Sequence, residues 1–130
     1  MHPVFVHFPI ALLTVTWGLV VVHYWSGSAA VDRLVAPFEW IGVGFLPVVI
    51  LTGFRDAEWL EFILEVEWDQ PLIWHFIVSL TASVVFAVHV FWRWRRRTDG
   101  EGRWVDLGLT TAGFWLLVVT GLIAGEMVYG

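Results

Sequence analysis

Four apolar runs, each long enough to cross a lipid bilayer, cover most of this 130-residue chain. A bilayer core needs about 20 mainly apolar residues per helix, and the runs comprise residues 4–25, 37–54, 71–94 and 105–128. The second run is the shortest, with Glu39 near one end and Pro47 inside it. We therefore predict an all-α fold, a four-helix transmembrane bundle, in which residues 1–130 form one domain.

The composition agrees with lipid as the main solvent. Hydrophobic residues make up 58% of the chain and charged residues 15%, against about 45–50% and about 25% in soluble domains. A small soluble domain could not bury that many apolar side chains, which excludes an ordinary soluble enzyme, a disordered chain and a nucleic-acid binder. The chain has no Cys, which excludes thiolate metal sites and iron–sulfur clusters, and its net charge of −5 argues against an anionic polymer as partner.

The placement of arginine predicts the orientation of the bundle. The link between the third and fourth runs is rich in arginine (Arg95, Arg96, Arg97 and Arg103), so it is expected on the cytoplasmic side. Four spans then place both termini outside, in a multi-pass protein of the cell inner (cytoplasmic) membrane. The N-terminus lacks the basic region of a cleavable signal peptide, so none is expected.

The link between the second and third runs, residues 55–70, is acidic and is expected on the outer side. Trp59, Phe62, Ile63 and Val66 recur at helical spacing with acids between them, which is typical of a short amphipathic helix on the membrane surface. Its acidic face could dock a basic soluble protein, or it could simply be a solvated face that stays outside. Ten Trp are present, and Trp17 and Trp115, at mid-span, are expected to pack inside the bundle.

The five histidines are the main candidates for function, because polar side chains at membrane depth are costly. His75 and His89 lie 14 residues apart on the third run, about 21 Å along a helix axis and on the same face. The stripe between them reads Ser79, Ala82 and Phe86, which leaves room for a flat ligand. Membrane b-type cytochromes hold haem between imidazoles of neighbouring helices in this way.

A haem with two histidine ligands needs a partner helix, and the first run supplies His7 and His23 at matching depths. Helical geometry makes His7–His75 the better pair and His23–His89 the weaker one, because His7 and His23 point to nearly opposite sides of their helix. The alternative for His23 and His89 is a side chain that reaches water at the helix end. His7 and His75 could equally be satisfied by backbone carbonyls or by each other.

Glu126 lies near the outer end of the fourth run, at the depth of His7 and His75. A carboxylate near a helix C-terminus is opposed by the helix dipole, so a histidinium, a metal or Tyr129 is expected to compensate it, unless it is hydrated among the headgroups. Imidazoles and a carboxylate without thiolates are typical of a zinc, copper or iron site. The candidate metal ligands are therefore His2, His7, His75 and Glu126.

Several segments together resemble a known family. "MHPVFVHFPIALL", "LTGFRDAEW", the early His75 and "TGLIAGEMVYG" are similar to a family of small four-span membrane proteins called domain of unknown function 2231. The matching positions are His2, His7, Pro9, His75, Gly125 and Tyr129, and the chain departs from the family's usual Gly-Gly at Ala124. The resemblance implies a helical arrangement like that of small di-haem membrane cytochromes b. It also implies nearby electron transfer, since similar domains occur fused to Rieske-type modules.

Three functions follow as expectations. The leading one is a membrane electron-transfer protein or redox-complex subunit, not an enzyme by itself. It would hold one or two haem b groups between the first and third spans and exchange electrons with a quinol or with a partner at the acidic link. The second is a cofactor-free accessory subunit that packs through its bundle faces against a larger complex. The third is a copper or zinc protein that binds metal at the outer face.

Overall fold

The computed structural model describes residues 2–64, 70–96 and 102–130, and the side chains of 5–58, 70–96 and 102–130. Within these ranges the chain forms four helices and no strand. They are α1 (His2–Ser26), α2 (Ala29–Leu64), α3 (Gln70–Arg95) and α4 (Arg103–Tyr129). Each contains a segment long and apolar enough to cross a membrane. The predicted all-α four-helix membrane fold is confirmed.

The helices form a four-membered bundle in which each helix has two neighbours. Among the described residues, α1 packs closely on α2, α3 packs closely on α4, and α1 also contacts α4. The contacts between α2 and α3 are the sparsest, although these two helices follow one another in the chain. α1 and α3 therefore lie on a diagonal. We call the end with residues 27–28, the last turn of α3 and the first turn of α4 the link end, and the opposite end the termini end.

The link between α1 and α2 is a tight turn at Gly27. This residue adopts a left-handed φ of 66°, which glycine accepts without strain, and its N–H donates to the carbonyl of His23 at 2.8 Å. Ser28 then caps α2, because its hydroxyl accepts from the N–H of Val31 at 3.4 Å. The turn holds α1 and α2 antiparallel and brings His23 near the first turn of α2.

The second helix is longer than the apolar run that predicts it. α2 contains 36 residues, about 54 Å of helix, and it continues without a break through Pro37 and Pro47. Proline is tolerated in membrane helices when neighbouring groups satisfy the freed carbonyls. The first part of the predicted acidic link is therefore the C-terminal extension of α2 rather than a separate surface helix. Residues 65–69 of that link lie outside the described residues.

Few side chains are fully buried, as expected of a small bundle whose outer surface faces lipid. The core includes Leu13, Val20, Ala82 and Phe86. Phe86 packs so closely on α4 that a Cβ at Gly113 would lie 2.7 Å from its ring. The inward stripe predicted on α3 is thus confirmed for Ala82, Phe86 and His89.

The two mid-span tryptophans behave differently. Trp17 stacks on Phe114 with ring centroids 4.1 Å apart and donates to the hydroxyl of Thr111 at 3.1 Å. It therefore packs within the bundle, as predicted. The prediction was wrong for Trp115, which is 60% exposed on the outer surface of α4. A lipid-facing surface carries no penalty for an exposed indole, so the apolar pattern alone does not reveal which way the ring points.

Candidate functional site

A buried cluster of ionisable side chains lies toward the link end of the bundle. His89 is 0% exposed and Glu39 is 1% exposed, and Asp106 is buried beside them. Three helices supply these groups: α2 carries Glu39, α3 carries His89 and α4 carries Asp106 in its first turn. We call Glu39, His89 and Asp106 the buried triad.

Both ring nitrogens of His89 face carboxylates. Nδ1 makes a short contact with Oε1 of Glu39, and Nε2 lies 2.8 Å from Oδ1 of Asp106. A neutral imidazole has one N–H donor, whereas ionised carboxylates only accept hydrogen bonds. The two hydrogen bonds therefore need one proton more than a neutral histidine between two carboxylates provides. Either His89 is an imidazolium or one of the two carboxyl groups is protonated.

Arg93 extends the triad toward the link end. Its guanidinium donates to Oδ2 of Asp106 at 3.2 Å and to Oδ1 of Asp32 at 2.9 Å. Because the triad has a net charge of −1 in either protonation arrangement, the fixed positive charge of Arg93 balances it. Arg93 follows His89 by four residues, so one turn of α3 presents both groups to the same side.

The outermost part of the cluster involves Asp32 and His23. The side chain of Asp32 is 40% exposed, and its Oδ1 lies 3.6 Å from Nε2 of His23. The Nδ1 of His23 lies 3.0 Å from the carbonyl oxygen of Ser28, in the turn between α1 and α2. Exposure thus rises along the cluster from the triad, through Arg93, to Asp32. All four helices contribute to it.

A second feature of the bundle lies toward the termini end. It is an apolar cavity of about 190 Å³ lined by residues of all four helices, among them Pro9, Gly53, His75, Ser79, Ser83 and Thr120. The Nδ1 atom of His75 is buried and has no hydrogen-bond partner within the described part of the chain. We call this space the His75 cavity.

The predicted haem ligands therefore fall into different environments. His75 lines the cavity, but His7 is exposed and is not among the lining residues. His89 has both nitrogens engaged with carboxylates, and His23 is engaged with Ser28 and Asp32. The interpretation of His23 and His89 as side chains that reach water is wrong for His89, which is fully buried. Haem ligation by these residues stays a prediction.

The predicted metal ligands are not gathered in the described structure. Glu126 is exposed on the last turns of α4, His7 is exposed on α1, and the side chain of His2 lies outside the described residues. Among residues whose side chains are described, no three His, Asp or Glu side chains are placed to hold a metal ion. A metal at His2, His7, His75 and Glu126 stays a prediction.

Sequence reasoning overlooked most of the cluster. The sequence patterns mark Glu39 only as a residue near the end of the second run, and they single out none of Asp32, Arg93 and Asp106. The available signal was the cost of an acid inside an apolar run, combined with His89 and Arg93 at helical spacing. To predict which of these side chains pair, one must know how each helix is rotated about its own axis, and hydropathy does not give that rotation.

Comparison with family models decides the family. The model described as Predicted membrane protein (DUF2231) matches residues 1–130. The chain belongs to this family. Searches of curated proteins and of solved structures gave no match. Membership of the DUF2231 family fits the four membrane helices, and the expected likeness to di-haem cytochromes stays an expectation.

Proposed function

We propose that this DUF2231 protein is a membrane subunit that binds and releases a proton at the buried triad. The observation that carries the proposal is the engagement of both ring nitrogens of His89 by carboxylates, which requires an additional proton. Ionisable groups within membrane spans commonly belong to proton relays or ion pathways. Histidine is also the side chain whose charge changes most readily near neutral pH.

The surroundings of the triad suit reversible protonation. Arg93 keeps its charge at any physiological pH, so it balances the carboxylates and does not relay a proton. Asp106 and Asp32, on either side of Arg93, lead from the triad toward the link end, where Asp32 is partly exposed. A proton leaving the triad would reach water or headgroups there. We place the protein in the cell inner membrane, as part of a larger complex that uses this proton.

A proton-counting titration tests the proposal. Purified protein in detergent is titrated between about pH 5 and 10, a range wider than that of free histidine because two carboxylates flank His89, and compared with His89→Gln. We expect the variant to exchange about one proton per molecule fewer than the native chain. His75→Gln is the matched control for losing one histidine outside the triad. A His89→Gln curve that coincides with that of the folded native protein would contradict the proposal.

Electron transfer with haem b is the second candidate function, and one observation favours it. His75 lines an apolar cavity, and its buried Nδ1 has no hydrogen-bond partner among the described residues, so this nitrogen is not engaged elsewhere, as an axial iron ligand requires. The cavity of about 190 Å³ is smaller than the roughly 300–1,000 Å³ of sites for larger ligands, so a haem would require α2 and α3 to separate. A b-type reduced-minus-oxidised spectrum that disappears in His75→Ala would support haem binding.

The other two expected functions have no such support. An accessory role without a cofactor and a copper or zinc site at the outer face stay predictions. Elemental analysis of the purified protein tests the metal site directly, since bound copper or zinc should be lost in His7→Ala. A protein that is colourless and stable only with a partner would favour the accessory role.

A further inference from the structure

A groove between α2 and α3 opens on the lipid-facing surface, and Trp94 in the last turn of α3 places it toward the link end. It has a volume of about 260 Å³ and is lined by aromatic and aliphatic side chains, those of Trp40, Val43, Ala87, Val90, Phe91 and Trp94. Trp40, Phe91 and Trp94 are 56%, 58% and 51% exposed, whereas Val43 and Val90 are less exposed, so the rings stand above a floor of smaller side chains. We call this feature the aromatic groove. It shares no lining residue with the His75 cavity.

The shape of the aromatic groove suits a chain rather than a compact ligand. Ala87 is exposed among the rings, where its single methyl leaves an indentation in the surface of α3. Ala87, Phe91 and Trp94 follow one another at spacings of four and three residues, so they share one face of α3 and the groove runs along that face. Lipid tails are as apolar as these side chains, so a groove that is open to the bilayer accommodates an acyl chain.

Arg95 places a positive charge at the link side of the aromatic groove. Its guanidinium carbon lies 5.9 Å from the centroid of the Phe91 ring, which lines the groove. Arg95 is exposed, and it makes no ion pair with a carboxylate among the side chains that the structure describes. Arg93 differs, because it pairs with Asp32 and Asp106. The charge of Arg95 is therefore available to a ligand of the groove.

Arg33 supplies a second exposed charge on the α2 side. It precedes Trp40 by seven residues, which is two helical turns, so it lies on the same face of α2 about 10 Å closer to the link end. Within the described ranges it has no ion-pair partner either. Arginine matches the geometry of phosphate, and basic pockets between membrane helices bind anionic lipid headgroups. The exposed indoles of Trp40 and Trp94 agree with headgroup depth, where tryptophan concentrates.

We infer that the aromatic groove binds one anionic phospholipid, with an acyl chain lying along the groove and the phosphate held by Arg95 and Arg33. A zwitterionic phospholipid offers the same chains and the same phosphate, but its ammonium group is repelled by the two guanidinium groups. The site therefore prefers a headgroup with a net negative charge. The inference does not rest on proton exchange at the buried triad, whose side chains lie inside the bundle.

A lipid titration tests the inference. Purified protein in a mild non-ionic detergent receives phosphatidylglycerol or phosphatidylcholine with the same acyl chains, and native mass spectrometry counts the bound lipid molecules. We expect one site that prefers phosphatidylglycerol by on the order of tenfold, and a roughly fivefold loss of that affinity in Arg95→Gln, since each arginine near an anionic headgroup contributes about this factor. Arg103→Gln is the matched control and should keep the affinity, because Arg103 is an exposed arginine of the link end that lies beside Gly27 instead.

Ala87→Phe tests the groove itself, because the larger side chain fills the indentation and leaves both arginines in place. We expect this variant to lose phosphatidylglycerol binding, whereas Val88→Phe should keep it, since Val88 is 48% exposed and does not line the groove. Helical circular dichroism and the thermal midpoint check that each variant is folded. Equal affinity for the two lipids, equal affinity of Arg95→Gln and Arg103→Gln, or unchanged binding in Ala87→Phe overturns the inference. Displacement of the lipid by inorganic phosphate at a comparable concentration also overturns it, because the groove would then contribute nothing.

Discussion

The charges around His89 depend on one another, because each would be costly to bury alone. Within a membrane span, an ionised side chain is tolerated when a partner of opposite charge or a hydrogen-bond acceptor faces it. This condition is met by three consecutive ion pairs, which link Glu39 to His89, His89 to Asp106, and Asp106 to Arg93. Removing one member therefore leaves its neighbours without a partner, and we expect the free energy of unfolding to fall by more than the value of the lost contact alone.

The first prediction concerns Asp106. Asp106→Leu leaves His89 and Arg93 without one of their acceptors, and breaking a buried charge pair costs about 3–5 kcal/mol. We expect a lower free energy of unfolding by about that amount, measured by chemical denaturation in mixed micelles. Glu126→Leu removes an exposed carboxylate from the same helix and should change the stability little. Equal stability of the two variants would contradict the description of the triad as interdependent.

The second prediction replaces the whole triad. When Glu39, His89 and Asp106 are all changed to Leu, Arg93 and Asp32 still pair at 2.9 Å. Replacing buried ion pairs by apolar residues of similar volume is often neutral or stabilising. We expect the triple variant to unfold at a higher denaturant concentration than Asp106→Leu alone, while it loses the proton exchange assigned to the triad. A triple variant less stable than the single one would show that the triad is required for folding.

At the scale of helices, α1 and α2 are in close contact at a glycine of α2, Gly42. A Cβ at Gly42 would lie 3.0 Å from a side-chain methyl of Leu13 and 3.3 Å from Cβ of Leu12. Small residues at such positions let membrane helices approach, and dispersion contacts then stabilise the pair. Gly44, two residues later, has no atom within 4 Å of its Cβ position, so it faces away from α1.

These two glycines give a matched pair of substitutions. Gly42→Ala forces Leu13 to move, and overpacking of this kind costs about 1–3 kcal/mol. Gly44→Ala meets no neighbour and should be neutral or slightly stabilising, since alanine is the better helix former. Thermal unfolding followed by circular dichroism compares the two variants. Equal midpoints would show that α1 and α2 do not meet at Gly42.

The contact between α3 and α4 gives a further prediction at this scale. Gly113→Ala places a methyl 2.7 Å from the ring of Phe86, a distance that requires the ring to shift. We expect destabilisation by about 1–3 kcal/mol, and partial rescue when Phe86→Leu is added, because the smaller side chain removes the clash. Gly121→Ala, with open space around its Cβ position, is the control. Strictly additive effects of Gly113→Ala and Phe86→Leu would contradict this contact.

The hydropathy of the sequence predicts the positions of the helices well, but it predicts poorly which residues of neighbouring helices meet. The α3 stripe follows from helical periodicity, because Ala82, Phe86 and His89 share one face whatever surrounds them. The length of α2 does not follow, since hydropathy reports the segment in lipid and not the acidic helical turns beyond it. To predict the triad, one must know that α2 and α4 are rotated so that Glu39 and Asp106 face α3. That rotation depends on packing at positions such as Gly42.

At the scale of the whole molecule, the orientation in the membrane stays a prediction from arginine placement. The chain contains no Cys, so single cysteines can be introduced without a background. Ser26→Cys reports on the link end and Gly130→Cys on the termini end, and both positions are exposed. We expect a membrane-impermeant thiol reagent to label Gly130→Cys from outside and Ser26→Cys only after permeabilisation. The reverse pattern would place the arginine-rich link outside.

The most direct measurement of the central claim is an infrared difference spectrum of the folded protein between about pH 5 and 10, a range that allows for the two carboxylates beside His89. It detects a proton on imidazole and on a carboxyl group alike, so it covers both arrangements that the triad allows. We expect a protonation signal that is lost in Glu39→Gln and kept in Glu126→Gln, in which the exposed carboxylate at the termini end is removed instead. A spectrum of the native protein that Glu39→Gln leaves unchanged would contradict the claim that the buried triad exchanges a proton.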